Sequence, residues 1–279
     1  MGNTSLMLGT ILSQLAVGTF ITGYVIDQML HKAEEKKAFT TSLVAFVAGC
    51  LGLIAIITHL GVPAHAFNAF SNLGTSWLSR ETLCYALFMA LLFVYLLIQK
   101  EIVIKGKKSA LKGLGLVTAV LGLLLAFVTA MIYMIPGVPA WNSASTPVSF
   151  VLSAFLMGIP LGVYLSGCEE GRMPALLTGM FALCALFVTI SHATALQGGN
   201  TAQAASGYLM TSSGMYLLRI VLLIAAAAFG LYAGLKGTKK EEGASGTAGG
   251  ATVFLLLFCV LAVSEVLGRY LFFGTIVRM

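Results

Sequence analysis

The sequence predicts an all-α integral membrane protein of eight transmembrane helices gathered into helical bundles, with both termini on the external side. Three observations carry this. Hydrophobic residues make up 58% of the 279 and charged residues 9%, with a mean hydropathy of +0.96, whereas a soluble domain carries roughly 25% charged residues. The apolar runs are continuous and reach the roughly 20 residues a helix needs to cross a bilayer, unlike the shorter, alternating strands of outer-membrane barrels. Basic residues concentrate in alternate loops, which fixes a direction for the chain.

In order, the spans are expected near 6–30, 39–60, 83–104, 113–135, 147–167, 174–196, 208–235 and 251–274. The first has no basic region before it and reads as a span rather than a cleavable signal. Lys32, Lys36, Lys37, Lys100, Lys105, Lys107, Lys108, Lys112, Arg172, Lys236, Lys239 and Lys240 fall on one side, against little more than Arg80 and Arg278 on the other. The basic face is therefore expected in the cytoplasm, with both termini and the segment 61–80 periplasmic or external. The net charge of +6 follows from this topology and calls for no nucleic-acid partner. The connections are short, so residues 1–279 form a single polytopic membrane domain, and any large catalytic cofactor belongs on another chain.

The loops differ in kind. HKAEEKK and KGTKKEEGASGTAGG mix charge with Gly and Ser, as solvated connections do. The external loops are nearly uncharged and carry Pro63, Trp77, Pro136, Pro139, Trp141 and Pro147, a composition suited to an ordered surface covered by a partner. The plainer reading makes Trp77 and Trp141 anchors of the interfacial aromatic belt.

Five cysteines, Cys50, Cys84, Cys168, Cys184 and Cys259, show no CxxC spacing, so no metal site is expected. His31 sits among lysines at a helix end, and His65 lies in the external loop beside Phe67 and Phe70. His59 and His192 both come near the external ends of their spans. Two histidines at similar depth could hold a b-type haem, but no second matched pair accompanies them.

His59 has another use. Quinol oxidation releases two electrons and two protons, and an imidazole titrating near neutrality is a natural acceptor for one proton. Glu81, at the start of the next span, could take or pass on the other. Phe67, Phe70 and Leu73 between them could form a short amphipathic roof, or Ser79 could cap the helix that Glu81 opens. Gln14, about two turns inside the first span, is a lining residue or an interhelical hydrogen bond, and the expected pocket comprises His59, Glu81, Gln14 and Arg80.

Arg219 and Glu265 lie within apolar spans, where an unpaired charge costs roughly 2.5–3.5 kcal/mol on insertion scales. Counted from the expected span ends, they sit about 16 Å and about 14 Å deep at 1.5 Å per residue. The matching depths predict a buried structural ion pair, with Arg269 one turn further out on the Glu265 face. A transporter lined by Arg219, Glu265 and Gln14 is the competing class, but the polar residues gather toward one end and the two halves of the chain show no convincing repeat.

The stretch from His59 to Glu81, with VPAWNSASTPVSFVLS from Val138 to Ser153 and SEVLGRYLFFG from Ser264 to Gly274, resembles the DmsC family, the membrane anchors of dimethyl sulfoxide reductases. The resemblance covers essentially the whole chain. It implies an anchor in the cytoplasmic membrane of a prokaryote that binds menaquinol and carries no haem. It also implies partners: an iron-sulfur subunit that receives the electrons, and a molybdopterin subunit that performs the terminal reduction. His59 and Glu81 then stand at the family's quinol-site histidine and acidic residue.

Overall fold

The computed structural model describes residues 2–59, 71–103, 108–168, 170–236, 248–274 and 276–277. Among them there are nine α-helices and no strand: α1 (Gly2–Tyr24), α2 (Glu35–His59), α3 (Trp77–Gln99), α4 (Lys108–Met131), α5 (Ser145–Ser166), α6 (Arg172–Gln197), α7 (Thr201–Thr211), α8 (Gly214–Lys236) and α9 (Ala248–Gly274). All but α7 are long and apolar enough to cross a membrane. The chain is a multi-pass membrane protein. A π-helical turn, Val25–Met29, prolongs α1 toward the loop.

Two packed halves share α1 and α5 as their seam. In the first, Val17, Phe20, Phe88, Leu92 and Tyr95 bury a core among α1, α2, α3 and α4. In the second, Leu156, Leu223, Leu257 and Leu261 do so among α5, α6, α8 and α9. Lipid chains are as apolar as leucine, so helices in a bilayer gain from close backbone approach rather than from the hydrophobic effect. The sequence supplies small residues where this is needed. A Cβ on Gly18 of α1 would strike the Ala154 carbonyl of α5, and one on Gly158 would strike Gly18 in return. Gly162, one turn along α5, rests on Thr22. The α6–α8 crossing is built alike, with Gly230 against Gly179 and Ala175, and Gly234 against Leu176. Leucines such as Leu51, Leu87, Leu116 and Leu217 are left on the outside, where they meet lipid.

The basic residues collect at one end. There Lys32 pairs with Glu170, the Lys100 ammonium lies 4.1 Å from the Phe39 ring centre, and Tyr24 donates to the Lys112 carbonyl at 2.9 Å. Gly167, at φ +62°, ends α5 in the left-handed conformation beside Lys37. Lys105, Lys107, Lys239, Lys240 and Arg278 lie outside the described residues.

Two expectations need correction. The run expected to cross as one span over 208–235 is divided: residues up to Thr211 belong to α7, and α8 begins at Gly214. An Asn200–Gln203 capping box opens α7, and Ser212 and Ser213 close it, so it forms a separate short helix at the bundle end. The cap of α3 is Ser76, whose hydroxyl accepts from the Ser79 amide at 3.4 Å, and Ser79 itself lies buried inside the helix. Glu81 therefore falls in the second turn of α3 rather than opening it.

Candidate functional site

Opposite the basic end, the starts of α1, α3, α5 and α8 meet the ends of α2, α4, α6 and α9. Trp141, in the loop before α5, fixes this surface by donating its indole N–H to the Phe272 carbonyl of α9 at 2.7 Å and stacking on the Phe272 ring. Tyr133, Phe150 and Phe273 complete the aromatic cluster. Trp141 is thus a half-buried packing and hydrogen-bonding residue at this end of the bundle.

Glu81 is 7% exposed and has no ion-pair partner among the described residues. The Thr129 hydroxyl of α4 approaches it without reaching hydrogen-bond geometry. Tyr133, just beyond α4, lies within electrostatic reach of both Glu81 and Arg269. Burial, reinforced by the Glu81 charge and opposed by Arg269, pushes the Tyr133 hydroxyl above its ordinary range, so it remains a neutral donor. Arg80 points elsewhere than its neighbour Glu81. Its guanidinium donates to the Leu73 and Gly74 carbonyls at 3.0 and 2.6 Å and lies 4.4 Å from the Trp77 ring centre, pinning the loop before α3. The backbone of His59 ends α2 at this same end. Its side chain, and the loop 60–70 with His65, Phe67 and Phe70, lie outside the described residues.

The third group is a buried polar cluster joining α1, α5, α8 and α9. Arg219 of α8 donates to Glu265 Oε1 of α9 at 3.2 Å and to the Ser264 carbonyl at 3.2 Å. The pair forms although Arg219 lies five residues into α8 and Glu265 nine from the end of α9. These correspond to about 8 and about 14 Å from the respective helix ends. Gly268 leaves room for it, since a Cβ there would fall on the guanidinium. Ser153 of α5 donates to the other carboxylate oxygen of Glu265. Arg269 donates to Gln14 Oε1 at 2.6 Å and to Ser153 at 3.5 Å, and its guanidinium lies 3.4 Å from the Phe150 ring centre. Arg269 therefore reaches across to α1 and α5.

Gln14 thus joins the Arg269 cluster rather than a pocket with Arg80. His192 of α6 bonds through Nδ1 to the Ser145 hydroxyl at 2.6 Å. No group of three or more His, Cys, Asp or Glu side chains is arranged for a metal among the described residues. Sequence reasoning missed Ser153, Tyr133 and Ser145. Ser145, Ser149 and Ser153 share one face of α5 through their spacing of four, which is the one signal that could have shown them.

The model of the family described as DMSO reductase anchor subunit (DmsC) matches residues 1–275. One component of the anaerobic dimethyl sulfoxide reductase of Haemophilus influenzae is 32% identical over 288 residues, covering 96% of this chain and 93% of that protein. The component of the same name from Escherichia coli strain K12 is 28% identical over 284 residues, with the same coverage. One component of the sulfite dehydrogenase of Allochromatium vinosum is 29% identical over 162 residues, 52% of this chain and 49% of that protein. Eight apolar spans, a polar site at one end and a family match over almost the full length lead to one conclusion: the chain belongs to the DMSO reductase anchor subunit (DmsC) family.

Proposed function

We propose that this chain binds and oxidises menaquinol and passes its electrons to an iron-sulfur subunit, which delivers them to a molybdopterin subunit. The observation that carries the reading is Glu81: a carboxylate buried at the end of the bundle, without an ion-pair partner among the described residues, on the helix that follows His59. A buried carboxylate in that state is suited to exchanging a proton with a ligand hydroxyl. His59, as a neutral imidazole, takes one proton from the quinol, and Glu81 takes or passes on the second. The products are a quinone, two protons and two electrons. Arg80 supports the site by holding the loop before α3, while Gln14 is engaged by Arg269.

The basic end is placed in the cytoplasm and both termini outside, in the cytoplasmic membrane of a prokaryote. The uncharged loops around Trp77 and Trp141 then form the surface on which the iron-sulfur subunit docks. Quinol oxidised at this end releases its protons on the side where the partner sits, so the anchor conducts electrons without pumping protons. The transporter reading is less well supported, because Gln14, Arg219, Glu265 and Arg269 bond to one another or to Ser153 as helix-joining contacts rather than lining a path from end to end of the bundle.

The test is turnover of the assembled complex with menaquinol as donor. His59→Gln and Glu81→Gln are expected to lower quinol-driven reduction at least tenfold, while an artificial donor acting directly on the partner subunits still supports reduction. Normal quinol-driven turnover in His59→Gln would remove the proposed mechanism.

A further inference from the structure

A cavity of about 80 Å³ lies between α5, α6, α8 and α9 at the end of the molecule occupied by α7. Arg219, Glu265 and Arg269 line it, with Ser149 and Ser153 on the α5 side and His192 on the α6 side. Among the described residues it therefore holds two guanidiniums against one carboxylate. Glu265 pairs with Arg219, whereas the direct partners of Arg269 are neutral: Gln14, Ser153 and the Phe150 ring. Arg219 is 8% exposed and Arg269 4%. The Nε–H group of each is buried and has no hydrogen-bond partner.

A buried cation and two unmet donors are both unfavourable, and the possible occupants answer them differently. Water would satisfy the donors but leave the charge. A proton arriving on a carrier group would add to the positive excess. An oxyanion satisfies both needs, because it brings the missing charge and oxygens matched to guanidinium geometry. The space exceeds that of a single water and suits a carboxylate or phosphate group.

We propose that this cavity binds one oxyanion group, a carboxylate or a phosphate, between Arg219 and Arg269 beside the hydroxyls of α5. The group can come from a small solute in the aqueous phase or from the headgroup of an anionic lipid.

The experiment uses the full chain in phosphatidylcholine nanodiscs, with thermal unfolding followed while inorganic phosphate or acetate replaces chloride at constant ionic strength. A solute site gives a saturable rise of about 3–5 °C at tenfold the dissociation constant. A lipid site gives the rise instead when phosphatidylglycerol is included in the disc. Either rise is expected to vanish in Arg269→Gln, which leaves the Arg219–Glu265 pair in place. Ser149→Asp places a carboxylate inside the cavity, so it should raise the melting temperature in phosphatidylcholine and abolish the response to added oxyanion or lipid. The proposal is overturned if no condition gives a shift that depends on Arg269, or if Ser149→Asp lowers the melting temperature in phosphatidylcholine.

Discussion

Neutralising one partner of the Arg219–Glu265 pair tests the electrostatics of the second half of the bundle, and the structure predicts that the two partners are unequal. Glu265→Gln leaves Arg219 and Arg269 buried beside the same cavity without the carboxylate that lines it with them. Removing one partner of a buried pair costs about 3–5 kcal/mol, and the repulsion between Arg219 and Arg269 places Glu265→Gln at the upper end. Arg219→Gln leaves Glu265 held by Ser153 and one turn from Arg269, so the carboxylate keeps a counter-charge and the cost falls to about 1–3 kcal/mol. The double variant removes both charges of the pair, and its cost should lie about 1–3 kcal/mol below the sum of the singles. Reversible unfolding in mixed micelles, with helicity and tryptophan fluorescence as readouts, measures all three. If Arg219→Gln proved as damaging as Glu265→Gln, or if the double variant were additive, the assignment of Glu265 as the shared counter-charge would fail.

Three other predictions follow from packing and topology. Gly18→Ala forces α1 away from α5 and should destabilise the bundle by about 1–3 kcal/mol, whereas Gly113→Ala, with nothing within 4 Å of the new Cβ, should be neutral or stabilising by about 0.5–1 kcal/mol; unfolding in the same micelles compares them. Trp141→Phe keeps the ring stack but loses the bond to the Phe272 carbonyl, for an expected loss of about 1–2 kcal/mol in the same assay. With the basic end inside, a membrane-impermeant maleimide should leave Cys168 unlabelled in intact cells and label it in inverted vesicles, while Ser71→Cys in a Cys168→Ala background should show the reverse; the opposite pattern would invert the topology.

The spans were legible because membrane crossing leaves a bulk signal, a continuous apolar run of fixed length, and the Arg219–Glu265 pairing because a buried charge in such a run needs a partner. The depth estimate for Arg219 was too large because the apolar tail of α7 runs into α8 in composition, and only the Ser212–Ser213 turn separates them. The cap of α3 was misplaced for a related reason: Ser76 and Ser79 are equally good caps in sequence, and the choice depends on where the preceding loop enters. Contacts such as Arg269 to Gln14, 255 residues apart, depend on which helices adjoin, which no local pattern records. Serines are too common to single out Ser153 or Ser145. The His59 and Glu81 assignment came from residue chemistry and the family resemblance, and the fold adds the burial of Glu81 at the end of the bundle where α2 stops.

The central claim is that menaquinol binds at the end of the bundle where α2 stops and Glu81 is buried. Fluorescence-quenching titration of a menaquinol analogue into membranes containing this chain, unaltered or carrying His59→Arg, tests it most directly. The account predicts saturable binding to the unaltered chain that disappears in the variant, because a permanent cation displaces the neutral imidazole from the site. Binding of equal affinity in both would place the quinol elsewhere and contradict the account.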